Sequence, residues 1–178
     1  ALSPTAEALV YGAVARAREI GAIVSFDVNH RASLWRGRDP RPAYTNVAGM
    51  SDLVFAGADE AALIAPDADS VPNQARAISE LGPGEVVVKL GPGGAYGMIH
   101  GVTFQEPALA TNVVDTVGAG DAFVAGYLVA RGTSDSASQW LRTGVIAGAA
   151  ACSHAGDWEG AIFARELDAF LSDEPVQR

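Results

Sequence analysis

Asp115-Thr116-Val117-Gly118-Ala119-Gly120-Asp121 runs without a break into Ala122-Phe123-Val124-Ala125-Gly126-Tyr127-Leu128-Val129. The stretch reads as a glycine-rich turn that opens a helix, with a carboxylate in the first helical turn. Amides at a helix N-terminus lack an intrahelical acceptor, glycine allows close approach to them, and the helix dipole favours negative charge there. An aspartate beside such an anion site repels the anion, so its presence is explained if it takes a proton from an attacking hydroxyl. The pattern implies phosphoryl transfer from a nucleotide to an alcohol. The competing reading makes Asp115 and Asp121 ordinary turn and capping carboxylates.

The 178 residues are enough for one domain with a genuine core and too few for two, so a single domain over 1–178 is expected. Apolar residues make up 49% and charged residues 19%, with no membrane-length apolar run and no charged-then-apolar leader. A soluble protein with no membrane partner follows, with the cytoplasm as its default compartment. The net charge of −9 and the absence of a basic cluster denser than Arg31 to Arg41 argue against nucleic acid. Cys152, the single cysteine, has no internal disulfide partner and reads as a small buried helix residue among alanines. His30, His100 and His154 share no ligand spacing, which argues against zinc. Trp35, Trp140 and Trp158 are expected to pack.

Outward from the heptad, the pattern alternates. Residues 5–20 are apolar at helical spacing and 22–26 form a short apolar run; 52–55 and 85–90 read as strands, 60–64 and 74–81 as helices. After the Gly91-Pro92-Gly93-Gly94 turn, 95–99 and 102–105 read as a hairpin. Helices over about 119–131, 136–152 and 163–171 complete the chain. Buried strands alternating with helices indicate an α/β fold with a mostly parallel sheet.

In such sheets ligands sit beyond the carboxyl ends of the strands. There the sequence places Asp27-Val28-Asn29-His30-Arg31, Gly57-Ala58-Asp59-Glu60 and Lys89-Leu90-Gly91-Pro92-Gly93-Gly94. Lys89 with Gly91 and Gly94 suits phosphates, the glycines opening the backbone and the ammonium adding a point charge. The same glycines also fit a plain hairpin turn. Arg31 suits a carboxylate, which its fork grips in two places.

The heptad resembles the C-terminal signature Asp-Thr-x-Gly-Ala-Gly-Asp of the ribokinase-like, or PfkB, carbohydrate kinases. Asp27-x-Asn29-x-Arg31 with Leu34-Trp35, and Gly156-Asp157-Trp158-Glu159-Gly160, are similar to segments of the 2-keto-3-deoxygluconate kinases and some fructokinases. The resemblance implies a three-layer α/β/α fold and an ATP- and Mg²⁺-dependent transfer to the 6-hydroxyl of 2-keto-3-deoxygluconate. It implies Asp121 as base and Gly118, Ala119 and Gly120 as the anion hole. Asn29, Lys89, Gly91 and Gly94, with Gly118 and Gly120, would lie along the nucleotide; Arg31, Asp121 and Asp157 would meet the sugar acid. Of the family's Asn-x-x-Glu metal pattern only Glu60 is present, with Gly57 in place of the Asn, and His30 replaces the usual tyrosine. The resemblance covers essentially the whole chain but aligns with only the C-terminal part of the family fold. The N-terminal part and its lid are therefore expected to be absent, and the chain to self-associate or to pair with that half. A fructokinase or another sugar kinase of the same family, and a catalytically silent nucleotide-binding module, remain the alternatives.

Overall fold

The computed structural model describes residues 3–163 and 165–167. Ser3 caps the first helix by accepting from the Ala6 amide at 3.1 Å, and Pro4, with its preset φ, begins α1 (Pro4–Glu19). Its apolar stripe is present as expected, yet no residue of α1 is buried, and Leu9 is 73% exposed. The expected strand over 22–26 is shifted to β1 (Ser25–Asp27), because the Asp52 carboxylate, at 2.8 Å, takes the Val24 amide. The shift carries Asp27 into the strand.

Two short helices follow that periodicity alone did not predict, α2 (Ala32–Trp35) and α3 (Arg41–Gly49). The start of α3 is set by Asp39, whose carboxylate accepts from the Arg41 amide at 3.0 Å, and by Pro42 in the first turn. Next come β2 (Leu53–Gly57), α4 (Ala58–Ile64), α5 (Val71–Ser79) and β3 (Glu85–Lys89). A single 3₁₀ turn, Gly91–Gly93, leads into β4 (Ala95–Ile99) and β5 (Val102–Glu106). Then come α6 (Ala119–Thr133) and α7 (Ala137–Cys152). Of the expected closing helix, 165–167 are helical, and 168–171 lie outside the described residues.

The sheet order is β1-β2-β3-β4-β5, with β1 parallel to β2 and β2 to β3. The links into and out of β4 are too short for parallel crossovers, so β4 runs against its neighbours and β5 again runs with the first three. The β4–β5 turn uses His100 and Gly101, both in the left-handed region at φ 48° and 81°, the pairing that a two-residue hairpin requires. The sheet is thus mixed and mostly parallel. Val54, Ala56, Val86 and Val88 share a core with Ala48, Ala61, Ala75 and Ile78. Alternating with them, Leu53, Phe55 and Val87 on the opposite face are also buried, which a three-layer α/β/α arrangement requires. No helix among the described residues is long and apolar enough to cross a membrane.

The chain divides into two compact units, Ala1–Leu90 with Tyr96–Thr103, and Gly91–Ala95 with Phe104–Arg178. In the second, α6 and α7 approach closely through glycines. A methyl group at Gly126 would lie 2.8 Å from both the Thr143 carbonyl and the Ala147 methyl, and one at Gly144 would lie 3.0 Å from the Phe123 ring. Gly132, also in α6, faces open space. Alanine in place of helical glycine gains about 1 kcal/mol, whereas overpacking costs about 1–3 kcal/mol. Gly132→Ala should therefore raise the thermal unfolding midpoint and Gly126→Ala should lower it, as read by calorimetry on the two variants.

Candidate active site

In the first unit the parallel register brings the carboxyl ends of β1, β2 and β3 together, with Gly57 opposite Lys89. The Lys89 ammonium lies 2.9 and 2.8 Å from the two Asp27 carboxylate oxygens, and both side chains are about four-fifths buried. The spacing of the sequence did not reveal this pairing, because 62 residues separate the partners. Glu60, in the first turn of α4, accepts from the Gly57 amide at 2.6 Å, the return half of a capping box. Its other oxygen accepts from the His30 amide, also at 2.6 Å. One carboxylate thus ties the loop after β1 to the start of α4.

That loop turns sharply at Asn29, whose φ of 43° is one that asparagine tolerates better than most residues. Arg31 is the N-cap of α2; its exposed guanidinium donates to the His30 carbonyl at 3.1 Å and retains further N–H donors. Tyr44 of α3, which the sequence reading did not single out, organises the loop from beneath. Its hydroxyl accepts from the Trp35 indole at 2.9 Å and lies 2.9 Å from His30 Nδ1. Burial pushes the Tyr44 phenol up, the Trp35 hydrogen bond opposes this, and the nearby Glu60 charge adds to it.

In the second unit Gly91 and Gly94 both hold positive φ, 54° and 86°, and the Gly94 amide closes the turn onto the Gly91 carbonyl at 3.0 Å. A side chain at Gly94 would strike the backbone at the end of β5. Gly118 is the N-cap of α6 at φ 75° with no side-chain cap, so the amides of the first turn are not claimed by a capping side chain, although that of Ala119 donates to the Thr116 carbonyl at 3.3 Å. Asp121 stands exposed in that turn. A side chain at Gly118 would be driven into the Asp157 carbonyl. Asp157 thus touches the turn through its backbone, while its side chain is exposed. Trp158 beside it is 73% exposed and does not pack as expected, since the loop uses its main chain rather than its side chains for the contact. Trp35 and Trp140 do pack, against Tyr44 and Tyr127. Cys152 is half-buried at the end of α7. An open cleft of about 490 Å³ on the α7 side is lined by Leu109, Thr111, Ile146, Ala150, His154 and Phe163, among others. Among the described residues no group of three or more His, Cys, Asp or Glu stands ready to hold a metal ion.

Asp115 fastens the turn to the loop. It accepts from the Val117 amide at 3.1 Å and from the Gly156 amide at 3.3 Å, while the Cys152 carbonyl accepts from Val114 and Asp115. The Val117 amide first, then that of Gly156, holds its carboxyl below the ordinary aspartate range. The ionised form therefore favours folding above the unfolded value of about 3.9, and that contribution disappears as pH falls through the depressed value. Asp115→Asn should be less stable than wild type at neutral pH, by a margin that shrinks in acid; urea unfolding across a pH series reads it, and a pH-independent margin would refute the assignment.

The pfkB family of carbohydrate kinases matches residues 1–161. Aminoimidazole riboside kinase from Salmonella typhimurium is 33% identical over 179 residues, covering 97% of this chain and 56% of its own length. The 2-dehydro-3-deoxygluconokinase of Bacillus subtilis is 33% identical over 176 residues, covering 97% of this chain and 53% of its own length. An E. coli chain described as a ribokinase II, solved with ATP and Mg²⁺, superimposes with a TM-score of 0.81 at 29% identity, over 93% of this chain and 53% of that one. The chain spans about half the length of the relatives it matches.

Proposed function

The chain belongs to the pfkB family of carbohydrate kinases, and we propose that residues 1–178 form the C-terminal, nucleotide-binding and catalytic part of an ATP-dependent kinase for 2-keto-3-deoxygluconate. The observation that carries the reading is the start of α6: a left-handed glycine cap, first-turn amides without a side-chain cap, and an exposed carboxylate among them. Such an array accepts phosphate oxygens, so the residues present fit a nucleotide.

Asp121 takes the proton of the attacking 6-hydroxyl as its oxygen bonds to phosphorus and the bond to the departing nucleotide breaks. The amides of Gly118, Ala119 and Gly120 receive the negative charge on the transferring oxygens. ATP with its magnesium ion supplies the phosphoryl group and offsets part of its charge. Lys89 keeps a donor beyond those facing Asp27, and with Asn29, Gly91 and Gly94 it supports the phosphates. The Glu60 oxygens each hold one amide and retain a second lone pair, which suits a water of the magnesium shell. The cleft beside α7 has a size and lining suited to the base. Arg31 grips the carboxylate of the acid sugar, and Asp157 reaches a sugar hydroxyl. The similarity to 2-dehydro-3-deoxygluconokinase supports this choice of acceptor.

A base of this kind is worth about 10²- to 10⁴-fold in rate, with positioning and electrostatics supplying the remainder. In the complete protein containing this sequence, Asp121→Asn should keep nucleotide binding and lower kcat by about 10² or more. Retention of over about a tenth of the activity would remove Asp121 from the role. Arg31→Lys keeps the charge but loses the fork. It should lower kcat/KM for the acid sugar far more than for fructose; equal losses, or a wild type that prefers fructose, would favour a fructokinase.

A further inference from the structure

We infer that His30 is a specificity-determining hydrogen-bond donor, its Nε2–H set by Tyr44 to meet a carboxylate oxygen of the acid sugar beside Arg31. The inference rests on the reading of the loop after β1 as the substrate loop and deepens it.

Tyr44 is only 7% exposed, so its hydroxyl must find its partners inside the protein. The Trp35 indole at 2.9 Å is a donor and nothing else, and it occupies one of the phenol's lone pairs. The phenol proton then needs an acceptor, and among the described residues the atom within reach is His30 Nδ1, at 2.9 Å. Tyr44 therefore donates to Nδ1. The neutral imidazole then carries its own proton on Nε2. The other tautomer would aim two donors at the phenol and strand its proton.

The ring is also held in place. Its plane meets that of Tyr44 at 87° with centroids 5.9 Å apart, and Tyr44 in turn meets Trp35 at 79° and 5.2 Å. The Arg38 guanidinium covers the Trp35 ring at 5.5 Å. Glu60 grips the His30 main-chain amide at 2.6 Å. Main chain, Nδ1 and ring edge are thus all engaged, and Nε2 has no partner among the described residues. Between Asn29 and Arg31 this leaves a rigid neutral donor next to a fixed cation. A carboxylate has two oxygens to satisfy, and a hydrogen bond to a charged acceptor is about twice as strong as one to a neutral hydroxyl. Loss of the donor should therefore weaken the acid sugar more than a neutral sugar.

The test compares His30→Phe, which keeps a ring without nitrogens, with His30→Gln, whose amide retains an N–H donor, in the complete protein. The expected result in His30→Phe is a KM for 2-keto-3-deoxygluconate raised about tenfold, the loss of one charge-assisted bond. The KM for ATP should stay unchanged, and His30→Gln should recover most of the loss. Independently of turnover, ¹⁵N NMR of the wild type at pH 8 should show neutral His30 protonated essentially wholly at Nε2, and Tyr44→Phe should relax the ring towards the mixed tautomer population of a free imidazole, in which Nε2–H is only the major form. A ring protonated at Nδ1, or an acid-sugar enzyme whose His30→Phe variant keeps its KM, overturns this inference alone. A wild type that prefers a neutral sugar overturns the substrate reading and this inference with it.

Discussion

The left-handed backbone at Gly118 is the constraint on which the second unit turns. With φ at 75° it lets α6 begin without a side-chain cap, and the absent Cβ lets the Asp157 main chain lie against the turn. Any L-residue would pay twice here, in conformation and in space. Asp115 adds the polar fastening between the same two segments, and the Cys152 carbonyl anchors the entry to the turn. The geometry of the proposed anion hole is therefore set by main chain, which has few rotamers to lose. That is the kind of preorganisation electrostatic catalysis depends on.

The first unit manages charge differently. Lys89 and Asp27 sit at the ends of two strands separated by β2, and their mutual attraction makes it tolerable for both to be largely buried. Glu60 spends its charge on two backbone amides rather than on a cation. Its effect reaches Tyr44, whose phenol is kept protonated first by burial and also by that negative neighbour. A protonated Tyr44 is what the His30 geometry needs. Loop shape, phenol protonation and imidazole tautomer thus share one carboxylate.

Much of this was legible in the residues. The strands β2 to β5 and the helices α6 and α7 follow from apolar periodicity and glycine punctuation, which act locally. The heptad at 115–121 announced its turn and helix, and α6 begins where it indicated. What escaped were features made by side chains meeting across the chain. Asp52 shortening β1 at Val24, Asp27 meeting Lys89, and Tyr44 joining Trp35 to His30 have no local period to betray them. The helix α3 is different: Asp39, Pro42 and the spacing of Tyr44, Val47 and Ala48 are all local signals, but the run is short and follows an arginine-rich, polar stretch, so its periodicity is weak. Trp158 shows the converse error, an indole assigned to packing where the loop needs only its neighbours' main chain.

Lys89 is the sole lysine of this sequence, and its ammonium is held by Asp27 with about 18% of the side chain exposed. Amine-directed acylation requires a nitrogen that the reagent can approach, and this one is engaged by both Asp27 carboxylate oxygens, at 2.9 and 2.8 Å. The sequence thus offers covalent labelling a single ε-amino group, shielded whenever the pair is closed. A dye or crosslinker that reacts there reports the opening of one ion pair, without the background of surface lysines that obscures such a signal in most proteins.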